Sequence, residues 1–452
     1  MSARRLSRHS LPAAGRGAAV CRSLDSGLTT YGDAPTPGDG PAPIEAVRDG
    51  PCLAPGTAVV TRVFLAIIVG VLPAIASAQE TRSESIAAEQ AEKAKNLAPP
   101  TQHWSEALLL RFQQGLVQQP GGFFPYFDSV YSGGGFTLGG GYRHFTGDRT
   151  HVSLAGLYSA KGYKLVEAAA TSPGHLSGHL DLGGTASWRD ATQVAYHGLG
   201  IDSPADIDTA FRMQQAIVGG DATLRLHRWV RLTAATAYED YTLEDPTGSN
   251  VPVDDVFTPA TAPGLGVNPA YLHTTVSAAF DWRRAEDYAR RGGLYRLVRH
   301  QYSDQDSTYS FDRLEAEVVQ HIPIVRENWV VSLRGRLETT LDDEDQVPYF
   351  LLPALGSGST LRAYSSWRFR DRHAMLMSGE WRWIPSRVAL DMAFFYDTGM
   401  VAPRLDAIAL NRFVHDFGVG MRFHAPARTA LRVEVARGSE GLHLVFAAGA
   451  AF

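Results

Sequence analysis

Cysteine is almost missing from this chain of 452 residues. Its two cysteines, Cys21 and Cys52, both lie near the N-terminus. The chain beyond residue 78 therefore has no disulfide staple. A basic surplus is missing as well. The formal net charge of −5 leaves no electrostatic footprint for nucleic acid. Beyond residue 78 no apolar run approaches the roughly 18 residues of a membrane-spanning helix. Gly-x-Ser-x-Gly is absent, and so is a phosphate loop with its lysine. His175 and His179 stand four apart, a spacing that gathers no metal on a strand. The sequence offers no catalytic residue, no metal set and no cofactor site, and it reads as a non-enzyme.

What is present begins with "TRVFLAIIVGVLPAIASA" at residues 61–78. Arg62 supplies a positive start. Val63 to Ala76 is apolar but too short to span a bilayer. Ala76-Ser77-Ala78 is a small-x-small cleavage site, so 61–78 reads as a signal peptide and Gln79 as the first mature residue. Residues 1–60, rich in Arg, Pro, Gly and Ser, read as a disordered extension or a mis-assigned start, with translation beginning near Val59 or Val60. Residues 79–120 form a short segment, partly helical, ended at one point by Pro99-Pro100.

From Gly121 to Phe452 the pattern has period two. In 374–384, Met375, Met377, Trp381 and Trp383 share one face, and Ser378, Glu380 and Arg382 the other. In 387–399, Val388, Leu390, Met392, Phe394 and Tyr396 oppose Arg387, Asp391 and Asp397. Trp329, Val331, Leu333 and Leu337 oppose Ser332, Arg334, Arg336 and Glu338. Leu272, Val276, Phe280 and Trp282 oppose His273, Thr275 and Asp281. These segments run about ten residues or more with aromatics near their ends, longer than a soluble sandwich needs. Backbone polar groups in lipid must be paired, which demands a closed sheet. The expectation is an all-β, 16-stranded antiparallel transmembrane β-barrel of bacterial outer-membrane type. Long links at 191–207, 244–267 and 342–370 read as extracellular loops. The short links Pro385-Ser386 and Ala425-Pro426 read as periplasmic turns. Arg334, Arg336, Glu338, Glu315 and Glu317 read as a mutually neutralising lumen network. The last segment, "GLHLVFAAGAAF", puts Leu442, Leu444, Phe446 and Phe452 on one face and ends on an aromatic, resembling the C-terminal signal for barrel insertion.

Four stretches carry a more specific resemblance. "GSGSTLRAYSSWRFRDRHA" at 356–374 sets Arg362 between Leu361 and Ala363-Tyr364 on a flexible loop. "SGEWRW" and "FFYDTGMV" carry Glu380 and Asp397. "AYHGLGIDS" spans 195–203. Together they resemble the Omp85 superfamily, the BamA/TamA and bacterial surface antigen D15 group, over about 121–452. The resemblance implies that the loop between strands eleven and twelve folds into the lumen. It implies that Arg362 binds Glu380 and Asp397, a task suited to a planar, permanently charged fork. Ala363 departs from the glycine usual at that position, and 79–120 is too short for the family's periplasmic POTRA domains. The implied location is the outer membrane of a Gram-negative bacterium. The implied role is outer-membrane protein assembly or protein translocation, with membrane lipid and an unidentified client, periplasmic or surface protein as partners. A passive transport pore and a surface-interaction barrel are the alternatives.

Overall fold

The computed structural model describes residues 121–452, apart from 127, 287, 306, 326, 343–345, 386–389 and 426–427. The expected segments 1–60, 61–78 and 79–120 lie outside the described residues, as do Arg387 and Val388.

Sixteen main strands follow one another along the described chain. They are β1 (Gly122–Tyr126), β2 (Thr137–Phe145), β3 (His151–Ser159), β4 (Lys164–Gly174), β5 (Leu180–Tyr196) and β6 (Thr209–His227). Next come β7 (Val230–Glu244), β8 (Ala270–Asp281), β9 (Gly292–Asp304), β10 (Phe311–Val325) and β11 (Trp329–Thr340). The last are β12 (His373–Trp383), β13 (Leu390–Ala402), β14 (Val414–Ala425), β15 (Arg428–Gly438) and β16 (Gly441–Ala447). Each pairs antiparallel with its chain neighbour, so one meander runs from β1 round to β16. The strands at the two ends of the meander are short, five residues in β1 and seven in β16.

The distribution of polarity identifies the solvent. Large apolar side chains point outward and are bare: Val218 and Phe446 are each 63% exposed. Asp190, Asp391, Asp397, Asp416 and Glu434 point inward and are fully buried. A water-soluble fold has the opposite arrangement. An apolar outside and a charged inside are what a barrel in lipid requires, and period two along every strand produces them at once. Leu272, Val276, Phe280 and Trp282 all stand on the outer face. The molecule is a 16-stranded antiparallel transmembrane β-barrel.

The C-terminus differs from the expectation. Strand β16 stops at Ala447, and Phe452 lies beyond it. Phe452 therefore does not share the outer face with Leu442, Leu444 and Phe446. Its ring sits below the Arg334 guanidinium, 5.8 Å away, and 6.5 Å from the His321 ring. Ala447-Ala-Gly-Ala-Ala451 has little side chain to hold a strand against lipid. Arg432 Nε donates to the Gly449 carbonyl at 3.0 Å, drawing the tail toward the charged interior.

Candidate functional site

The link between β11 and β12 returns into the barrel. Ala354–Leu355 pairs antiparallel with Phe369–Arg370, which makes a narrow hairpin of the loop. Its base is held by Arg370, fully buried, which donates to the Tyr349 and Phe350 carbonyls at 3.2 Å. The hairpin can turn because Gly356 adopts φ +104°, and a side chain there would strike the Ser365 carbonyl.

At the tip, Arg362 is 2% exposed. Its Nε and Nη2 donate to the two oxygens of Asp397 on β13, at 2.7 and 3.1 Å. Its Nη1 donates to Glu380 on β12 at 2.8 Å and to Glu434 on β15 at 3.2 Å. The guanidinium carbon lies 3.6 Å from the centre of the Phe395 ring, a close cation–π stack. Leu361, fully buried, and Tyr364 pack with Phe369, Leu376 and Phe395 on the same wall. The three strands reach one guanidinium because Glu380, Asp397 and Glu434 all lie on inward positions of a contiguous wall, β12 to β15.

This cluster is larger than the three residues named from the sequence. Arg422 on β14 donates to Glu380, and at 3.2 Å to Glu434. Arg432 on β15 donates to Glu434 at 2.8 Å. The Ala363 N–H donates to Asp416 at 3.1 Å. Asp416 stands directly opposite Asp397 across the β13–β14 ladder. Alternation puts Asp416, Arg422, Arg432 and Glu434 on the inward face, so a signal existed. Nothing in the linear pattern singled them out from other lumen charges.

Ala363, where glycine is usual in the resembling family, fits for a local reason. Its methyl faces Gly438 on β15. A side chain at Gly438 would lie 3.1 Å from the Ala363 methyl and from the Tyr364 ring. The space that glycine would leave on the loop is left on the wall instead. The Tyr364 hydroxyl, alongside, donates to the His415 carbonyl at 3.2 Å and meets Ser439 Oγ at 3.0 Å.

Further contacts tie the hairpin to other parts of the barrel. Arg334 on β11 donates to the Ser359 carbonyl at 2.8 Å, and Arg432 donates to the Gly358 carbonyl at 3.3 Å. Trp367 donates to the Ser132 carbonyl in the β1–β2 link at 2.9 Å and stacks on Tyr131. Arg368 donates to Glu440, in the β15–β16 link, at 2.7 Å. The stretch 195–203 meets the hairpin base: Gly200 N–H donates to the Arg370 carbonyl at 2.8 Å, and Arg368 reaches Ser203 Oγ at 2.7 Å. One hairpin thus touches the flanks of both β1 and β16.

A second cross-strand network of lumen charges lies on β9 to β11 and reaches the hairpin through Arg334. Arg296 on β9 donates to Glu315 and Glu317 on β10, and Arg334 and Arg336 on β11 return to the same two carboxylates. Glu338 pairs with Arg336. His175 and His179 lie in the exposed β4–β5 turn, where each ring bonds locally, His175 to Ser172 and His179 to the Leu176 carbonyl. Among the described residues no group of three His, Cys, Asp or Glu could hold a metal ion.

No family model matches the sequence, and neither does any curated protein. The structure is similar to the crystal structure of BamA from Haemophilus ducreyi lacking POTRA domains 1–3. The TM-score is 0.54 at 14% identity, over 72% of this chain and 68% of that one. CdiB from Acinetobacter baumannii aligns over 73% of this chain and 56% of its own, with TM-score 0.49 and 10% identity. The sixteen-strand meander and the likeness to the BamA structure agree on the fold: this chain is a 16-stranded transmembrane β-barrel similar to that of BamA.

Proposed function

We propose that the protein acts in the outer membrane of a Gram-negative bacterium, in the assembly or translocation of another protein. The observation that carries this reading is the hairpin's double attachment. Trp367 bonds to the β1–β2 link and Arg368 to the β15–β16 link, and Gly358 lies against β16, where a side chain at 358 would strike Val445. The two shortest strands are the two ends of the meander, and short ladders open most readily. A hairpin that grips both flanks sets how easily a seam between them parts, and a parted seam offers unpaired strand edges to a client chain. Arg362 is the residue that keeps the hairpin docked.

Residues 61–78 serve in this reading as a cleaved export signal, 1–60 as no part of the mature protein, and 79–120 as a periplasmic segment. The long loops then face outward from the cell. N-terminal sequencing of the protein recovered from membranes should read from Gln79. Depleting the protein should lower at least one other outer-membrane or surface protein, seen by comparative membrane proteomics. An unchanged proteome would refute the assembly role.

The rival reading, a passive pore, meets a specific obstacle. The hairpin crosses the lumen, and Tyr196, Phe211, Tyr241, Tyr271, Tyr349 and Phe350 form a buried aromatic cluster inside the sheet toward the long-loop end. Planar-bilayer recording should give small, flickering currents. A large, steady conductance would favour the pore.

A further inference from the structure

The two ends of the barrel differ in charge. The long-loop end carries Asp202, Asp206 and Asp208 between β5 and β6, and Asp245, Asp254 and Asp255 between β7 and β8. The short-turn end is basic along one arc, from β7 to β12. Arg228 sits in the β6–β7 turn, and the sequence of the β8–β9 link holds Arg283, Arg284, Arg290 and Arg291 against Glu286 and Asp287.

Among the described residues, pairing leaves part of this charge uncancelled. Arg283 is bound to Asp281, and Glu286 is taken by Arg231. Arg284 and Arg291 share a single carboxylate, Glu327, at 3.9 Å each. Arg290 leans on the Tyr288 ring and hydroxyl. Arg228 lies 4.2 Å over the Trp229 ring, and no carboxylate of the described residues pairs with it. Arg228, Arg284 and Arg291 are all exposed.

The same arc carries the tryptophans. Trp229 opens β7, Trp282 follows β8, Trp329 opens β11, and Trp381 and Trp383 end β12. Trp329 stands opposite Trp383 in the ladder and 5.0 Å from Trp381. Trp229, Trp282, Trp381 and Trp383 are exposed on the lipid face. Indole rings settle at the headgroup level of a bilayer. They fix the depth of this rim, and the arginines just beyond them then stand at the level of the phosphates. A delocalised guanidinium binds phosphate in fork geometry and keeps its charge at that boundary.

We infer that the short-turn rim from β7 to β12 is a binding surface for anionic phospholipid headgroups, engaged by Arg228, Arg284 and Arg291 above a tryptophan belt. Occupancy neutralises the surplus charge and anchors this arc of the wall in its leaflet, while among the described residues the strands around the β1/β16 seam carry no such arc. The inference rests on the transmembrane fold and is independent of the assembly role.

The test uses the mature protein reconstituted in vesicles of phosphatidylcholine with one-fifth phosphatidylglycerol. Spin-labelled lipids report which headgroup enriches at the protein surface. The wild type should enrich phosphatidylglycerol over phosphatidylcholine, and raised salt should weaken the preference. The triple variant Arg228→Gln/Arg284→Gln/Arg291→Gln should lose it by about fivefold or more. The matching Arg→Lys variant should retain most of it, since the charge remains. Heat-modifiable gel migration identifies folded barrels, and only these are compared. Equal preference in wild type and the Gln variant overturns the inference, as does a wild type with no preference. Loss of preference alongside an unchanged outer-membrane proteome would sink the assembly reading and leave this one standing.

Discussion

Arg362→Ala removes four hydrogen bonds and a cation–π stack at once. A water-filled lumen would screen this loss to roughly 1–3 kcal/mol. The site is drier than that: Arg362 is 2% exposed, and Asp397 and Glu434 are fully buried. The appropriate figure is that for breaking a buried pair, about 3–5 kcal/mol. Asp397 suffers most, since both its oxygens lose their donor and Asp416, the residue opposite, is another carboxylate. Glu380 and Glu434 suffer less, because Arg422 and Arg432 still reach them. The barrel's backbone ladders are untouched, so the protein should still insert and the cost should appear as undocking of the hairpin. Thr360, 7% exposed, lies two residues from Arg362, and the chain beyond residue 78 has no cysteine. Thr360→Cys therefore reports undocking through its reaction with an impermeant maleimide. If labelling follows the open population, 3–5 kcal/mol raises the rate by about 10²-fold to several thousandfold. Ser365 is exposed even when docked and serves as a control that labels in both backgrounds. Arg362→Lys should recover only part of the protection, since an ammonium cannot fork onto Asp397. Labelling rates within about threefold in the presence and absence of the arginine would show that the hairpin is held by its other contacts.

Other outcomes follow from the same contacts. Gly438→Ala should destabilise docking by about 1–3 kcal/mol through the clash with Ala363 and Tyr364; adding Ala363→Gly should restore most of it, and a denaturation cycle giving no coupling would contradict the complementary fit. Asp397→Asn should expose the Thr360→Cys reporter nearly as much as Arg362→Ala, whereas Glu380→Gln should do so less, because Glu434 still holds Arg362; equal effects would contradict the assignment of the fork to Asp397. Phe452→Ala should loosen the tail beside Arg334 without abolishing insertion, read as faster carboxypeptidase trimming of folded protein. Boiled and unboiled samples should migrate differently on a gel, and identical migration would contradict a barrel stable in detergent.

The sequence by itself determined the wall. Alternation of Met375, Met377, Trp381 and Trp383 with Ser378, Glu380 and Arg382 depends only on the two-residue repeat of an extended chain, and so it is legible locally. The number of strands and the place of Arg362 between the eleventh and twelfth follow from the same repeat and its interruptions. Which lumen charges meet is another matter. Glu434 is 72 residues from Arg362, and Asp416 is 53 from Ala363; register across three ladders, not spacing along the chain, brings the first to the guanidinium and the second to the amide beside it. The exchange of glycine between positions 363 and 438 is likewise visible only where hairpin and wall touch. Phe452 shows the limit most plainly. Its alternation with Leu442, Leu444 and Phe446 predicts a strand, but the small residues at 447–451 offer lipid little, and the interior offers carbonyl-binding Arg432 and the face of Arg334. A pattern of period two names the faces a residue can choose between, and only the packed interior settles whether the strand continues far enough for the choice to apply.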